Sequence, residues 1–142
     1  MAQSTFVTFL RQGAVAVAAL TFCSFAGALG SDATLSQRLV GEWQELRTVD
    51  CEVPQQVMSI SAVGTFQVKG IIRGCGATTP FTWRGNWQVK EGKFQYVTTY
   101  SAPADLYTVG ERFEDQIVSV TDAEWVMLEQ STGEKSMAYR IR

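Results

Sequence analysis

No histidine occurs anywhere in the 142 residues of this chain. That absence removes the usual general base at neutral pH, the commonest metal ligand, and every Ser-His-Asp or Cys-His nucleophile arrangement. Cysteine is scarce too, at three residues, and thiols without imidazole partners do not supply enough donors for a zinc site. No Gly-rich loop leads from a strand into a helix, so a phosphate cradle is missing and no cofactor is implied. Charged side chains make up 18% of the chain and form no basic cluster. Nucleic acid and anionic membrane surfaces both demand clustered Lys and Arg, so neither is expected as a partner. An enzyme would have to work through carboxylates or lysine. Glu111, Glu114 and Asp115 form the tight acidic group, but their place beside Arg112 ahead of a strand reads as a solvated loop with surface ion pairs. The chain is read as non-catalytic, with no catalytic residue and no metal ligand.

What is present begins with a segment unlike the rest. In residues 1–30, Arg11 is followed by an uncharged stretch from Gly13 to Gly30 that is rich in Ala, Val, Leu and Phe. This is the pattern of a secretory signal peptide, and the small residues of Ala26-Gly27-Ala28 and Ala28-Leu29-Gly30 place cleavage after Ala28 or Gly30. A retained anchor is the alternative, since about 18 apolar residues just span a bilayer. The bulky Phe22 before Cys23 argues against lipidation there. The expected product is secreted or periplasmic, has no membrane span, and consists of one domain, 31–142. Without Arg11 it carries 11 basic and 14 acidic side chains, a net charge of −3. Cys51 and Cys75 remain as an even pair in an exported chain, which reads as one disulfide. Closing a loop of roughly 25 residues contributes about 3 kcal/mol in chain-entropy terms.

Beyond a short polar lead, Thr34 to Leu39, the chain reads as strands between tight turns, with no long helical period. The clearest is Phe81 to Lys90, which puts Phe81, Trp83, Trp87 and Val89 on one face and Thr82, Arg84, Asn86, Gln88 and Lys90 on the other. Gly85, between the two tryptophans, leaves room or allows a bend. Further strands are expected at 40–49, 57–61, 65–73, 94–100, 117–121, 124–130 and 136–141, with Glu91-Gly92 as a hairpin signal and 101–110 as the longest irregular stretch. Eight short antiparallel strands suit an up-and-down barrel better than a two-sheet sandwich, because closure removes both edges.

Leu39-Val40-Gly41-Glu42-Trp43 resembles the Gly-x-Trp entry into the first strand of lipocalins and of small bacterial lipocalin-like domains. The closing strand, with Tyr139 and Arg140, resembles the way these domains end. The resemblance implies an all-β, eight-stranded lipocalin-like barrel in which Arg140 packs over Trp43, with Arg142 in reserve. It also implies a binding protein for a small hydrophobic ligand, and the candidate cavity residues are Trp83, Trp87, Phe94, Tyr96 and Tyr100. The architecture is similar, too, to periplasmic inhibitors of secreted metalloproteases. That second resemblance implies a protein partner, reached by a flexible N-terminal tail, here Ser31 to Ser36, or by rim loops.

Overall fold

The computed structural model describes residues 30–46, 55–74 and 77–141. Residues 1–29 of the expected signal peptide, and both Cys51 and Cys75, lie outside them. One helix, α1 (Asp32–Leu39), precedes eight strands: β1 (Gly41–Leu46), β2 (Gln55–Ile60), β3 (Thr65–Gly74), β4 (Ala77–Lys90), β5 (Lys93–Ala102), β6 (Arg112–Val120), β7 (Glu124–Glu129) and β8 (Lys135–Arg140). Each strand pairs antiparallel with the next and β8 returns to β1, so the sheet closes into the up-and-down barrel that the alternation predicts. The Glu91-Gly92 hairpin forms as read: both residues have positive φ, at 55° and 72°, as a two-residue turn between Lys90 and Lys93 requires. Most strand ends shift by a residue or two from expectation, and three departures matter for the wall. β4 starts at Ala77 and so includes Pro80, β5 runs on to Ala102, and β6 starts at Arg112 instead of Ile117.

The polar lead is the main departure. Ser31 to Ser36 is not a free tail, because Ser31 is the N-cap of α1, its hydroxyl accepting from the Thr34 amide at 3.3 Å. Leu35 and Leu39, four residues apart and on one helical face, are buried. The Asp32 carboxylate then accepts from the Glu91 and Gly92 amides at 2.8 and 2.9 Å, fastening the helix to the β4–β5 turn. With α1 held there, one end of the barrel is closed. The same end holds the turns after β2, β4 and β6.

Trp43 and Arg140 complete this floor. Trp43 is fully buried and its indole Nε1 donates to the Leu39 carbonyl at 2.7 Å. The two residues are register partners across β1 and β8, and the Arg140 guanidinium carbon lies 4.2 Å from the Trp43 ring centroid. The guanidinium donates to Asp122 O and Val40 O, each at 2.8 Å, and to Arg38 O. A single cation thus serves carbonyls at the C-terminal end of α1, where the helix dipole favours positive charge, and ties them to the β6–β7 turn. Trp125 meets Trp43 edge-on at 5.8 Å and Phe94 at 4.9 Å, and Ile117 is fully buried beside them, so the lower interior is a packed core.

Trp43→Ala is therefore expected to cost about 3–5 kcal/mol, the range for a large aromatic truncated in a core. Arg140→Met, which keeps the stem and loses the cation, is expected to cost about 1–3 kcal/mol, as for hydrogen bonds to a charged group. Urea unfolding followed by circular dichroism measures both, and an unchanged Trp43→Ala midpoint would contradict the packing described.

Candidate functional site

Above the floor the interior is not filled. A cavity of about 330 Å³ occupies the end of the barrel away from α1, reached past the β5–β6 connection and the β7–β8 turn. Its wall begins with Phe81 and Trp83 of β4, Tyr96 of β5 and Phe113 of β6. Phe94 forms part of its base, and Leu106 and Tyr107 lean in from the connection that follows β5. Two ring pairs lie nearly parallel: Trp83 with Tyr107 at 4.1 Å and 16°, and Tyr96 with Phe113 at 5.0 Å and 17°. The Trp83 indole Nε1 donates to the Thr98 hydroxyl at 2.9 Å, so this ring is fixed from within the barrel wall.

Of the five residues expected to line a cavity, Trp83, Phe94 and Tyr96 do so. Trp87 does not. It is buried at the floor, where its Nε1 is shared between Ser61 O and Thr65 O at 3.1 Å each, and it therefore secures the β2–β3 turn. Tyr100 is on the outer face, 45% exposed, with the Arg84 guanidinium 5.1 Å from its ring centroid. The cause is a β-bulge. Gly85 pairs with Thr98 and Arg84 with Tyr100, which leaves Thr99 as an extra residue and reverses the faces beyond it. Phe94, Tyr96 and Thr98 point inward, and after the bulge it is Ser101, not Tyr100, that is buried. A second bulge in β6 between Ile117 and Ser119 leaves Val118 as the extra residue on the outer face and likewise brings Val120 in.

Carboxylates are the residues that sequence reasoning missed. Asp115, expected in a solvated loop, is buried on the inner face of β6, and the Tyr96 hydroxyl donates to it at 3.0 Å. Glu129 is its register partner on β7 and also lines the cavity, as does the buried Glu45 of β1, which accepts from the Gln56 side chain. All of these groups have partners. Period-two spacing back from Ile117 through Asp115 to Phe113, and on from Trp43 to Glu45, was the available signal. The remaining two acids of the group stay outside. Glu111 is exposed, and Glu114 binds Lys93 at 2.5 Å and Gln95 at 2.7 Å, hydrogen bonds that hold its carboxyl below the usual carboxylate range. Among the described residues, two buried polar atoms, Trp125 Nε1 and Ser136 Oγ, have no hydrogen-bond partner.

A depression of about 460 Å³ on the outer face lies over Asn86, Gln88, Gln95, Val97, Arg112 and Glu114. Its polar groups already bond one another through Gln88, Gln95, Glu114 and Lys93. The interior cavity, with buried acceptors and aromatic walls, is the better candidate site.

No protein-family model matches this chain, and no curated protein matches it either. Among solved structures, the chain is similar to a lipocalin-like protein from Bacteroides uniformis, at 16% identity and a TM-score of 0.51. The match covers 73% of this chain and 99% of that one. The fold is lipocalin-like.

Because the bulge decides which face of β5 looks inward, Gly85 is the residue on which the wall depends. A Cβ there would sit 2.0 Å from the Val97 carbonyl oxygen and 2.5 Å from the Phe66 ring. Gly85→Ala is expected to lose at least about 1–3 kcal/mol, as overpacked interiors do, because the nearest obstacle is backbone. Chemical denaturation checks this, and a variant as stable as the parent would show that the bulge relaxes at no cost.

Proposed function

We propose that this chain is an exported, non-catalytic carrier of a small hydrophobic ligand held inside the barrel. The observation that carries the reading is the cavity of about 330 Å³, walled by Phe81, Trp83, Tyr96 and Phe113 and closed below by a packed floor. Its volume is at the low end of the roughly 300–1,000 Å³ of small-molecule sites, which suits a ligand of up to three rings. Parallel and edge-on aromatic faces offer a planar ligand dispersion contact on several sides. Export is the reading of residues 1–30 as a signal peptide, and no helix among the described residues is long and apolar enough to cross a membrane.

The disulfide between Cys51 and Cys75 belongs to the same reading. The described residues flanking them, Leu46 and Gln55 on one side and Gly74 and Ala77 on the other, end neighbouring hairpins at the cavity end of the barrel. A bond there would tie two rim connections together. The inhibitor alternative has no comparable support, since the segment proposed as its flexible tail is the start of α1.

Titration with the neutral apolar fluorophore N-phenyl-1-naphthylamine tests the carrier reading. Saturable binding to the folded protein is expected, unchanged in Tyr100→Ala and weakened roughly tenfold in Phe113→Ala, which corresponds to about 1.4 kcal/mol of contact. Absence of saturable binding would overturn the reading.

Thiol titration of the secreted product in denaturant without reductant is expected to find no free thiol, and its intact mass to lack the leader up to Ala28 or Gly30. Two free thiols would remove the disulfide, and an intact leader would remove export with cleavage.

A further inference from the structure

We infer that the outer face of β7 and β8 is a contact between two copies of this chain, which associate as a reversible two-fold dimer. The inference concerns the outside of the barrel and does not depend on what the cavity holds.

The face follows from the pleat. Trp125 and Met127 of β7 and Ser136 and Ala138 of β8 are buried, so the residues alternating with them point outward: Glu124, Val126 and Leu128 on one strand, Lys135, Met137 and Tyr139 on the other. These are register partners, Glu124 with Tyr139, Val126 with Met137 and Leu128 with Lys135. The face is mostly apolar. Met137 is 42% and Tyr139 39% exposed, and the bulge in β6 places Val118 beside Val126 at 39%. Elsewhere the outer wall is polar, as on β4, where Thr82, Arg84, Asn86, Gln88 and Lys90 alternate with the buried positions. Single exposed apolar side chains are ordinary on a protein surface, whereas a contiguous patch rimmed by charge marks an interaction site.

Charge identifies the occupant. Glu124 and Lys135 stand at diagonally opposite corners of the face, because the partner of Lys135 is Leu128 and that of Glu124 is Tyr139. Along the strands the corners are about 14 Å apart at 3.4 Å per residue, too far for the two side chains to pair within one copy. Neither forms an ion pair among the described residues. A two-fold axis lying across the strands, through the Val126–Met137 pair, turns this face onto itself end for end. Val126 and Met137 then meet their own counterparts, and Glu124 of each copy reaches the corner where Lys135 of the other stands. One surface thus carries an apolar centre and both halves of two ion pairs, which is the self-complementarity that a contact between identical copies requires. The side chains involved are far fewer than the roughly 20–30 residues a side of a standard interface, so the dimer is expected to be weak, forming at micromolar concentrations and above.

Sedimentation equilibrium from micromolar to near-millimolar concentrations tests this on protein from expression of the full chain. The wild type is expected to pass from monomer to dimer. Glu124→Lys and Lys135→Glu each bring like charges together at both corners, and each alone is expected to raise the dissociation constant at least about tenfold. Mixed in equal amounts, the two variants are expected to form a heterodimer, because acid faces base again at both corners. Both positions are exposed, and circular dichroism checks that the barrel is kept. Met137→Ser, at the centre of the face, is expected to weaken the dimer similarly and serves as the second variant if a charge reversal fails to fold. A wild type that stays monomeric throughout would overturn the assignment of a second copy to this face. Dimers that survive both charge reversals and Met137→Ser would place the contact elsewhere, and reversals that weaken it without recovery on mixing would overturn the two-fold pairing.

Discussion

The contact of Arg140 with Trp43 is the interaction on which the rest of the barrel depends. Among the described residues the seam between β1 and β8 has three register pairs, and it is the one that turns an open meander into a closed wall. Arg140 strengthens it at its lower end by covering the indole and by donating to Val40, Arg38 and Asp122 carbonyls. A cation over an indole face contributes about 0.5–2 kcal/mol, and planar guanidinium geometry lets the same group serve several acceptors at once. Lysine, a point charge with no planar fork, could not hold this many partners in fixed directions. Closure of the seam, seating of the helix and burial of Trp43 are therefore one event.

That floor explains why the chain can leave space above it. Small domains have little stability to spare, and a cavity forfeits packing on all its walls. Here the loss is confined to one end. Trp43, Trp87, Phe94 and Trp125 fill the other, in edge-on or tilted contacts at 4.9 to 5.8 Å, beneath which Leu35 and Leu39 of α1 close the base. The polar ends of two of these indoles are satisfied by backbone carbonyls, Trp43 at the end of α1 and Trp87 at the β2–β3 turn, so these tryptophans serve both as core and as fasteners of the backbone around them.

Much of this was legible in the sequence, because period two is strong wherever a strand is straight. The tryptophan strand, the Glu91-Gly92 turn and the number of strands all follow from alternation and turn chemistry. The misplaced residues have physical causes. Tyr100 has the phase of Phe94 and Tyr96, but alternation does not record the extra residue Thr99, and one bulge reverses every side chain after it. α1 is eight residues long with one buried pair, too short for helical periodicity to stand out, although Ser31, Asp32 and the Leu35–Leu39 spacing are the marks of a capped helix. Asp115 reads as a surface acid because it lies beside Arg112 ahead of the apolar run at Ile117, but β6 already begins at Arg112, and period two then puts Asp115 on the buried face with Ile117.

The two ends of the barrel are consequently under different constraints. Residues of the floor are held by packing and by backbone carbonyls, and substituting them acts on the folded state as a whole. The carboxylates of the upper wall contribute little hydrophobic burial, and each must be desolvated and bonded to remain inside. An all-apolar wall of the same shape would be easier to bury, so the carboxylates are held inside by their hydrogen bonds, as Asp115 is by Tyr96 and Glu45 by Gln56. Phe94 joins the two regions, touching Trp125 below and Tyr96 above, so the ring that completes the floor also supports the tyrosine that bonds Asp115. Rigidity generated by the closed seam is thereby transmitted to the buried acid of the cavity wall.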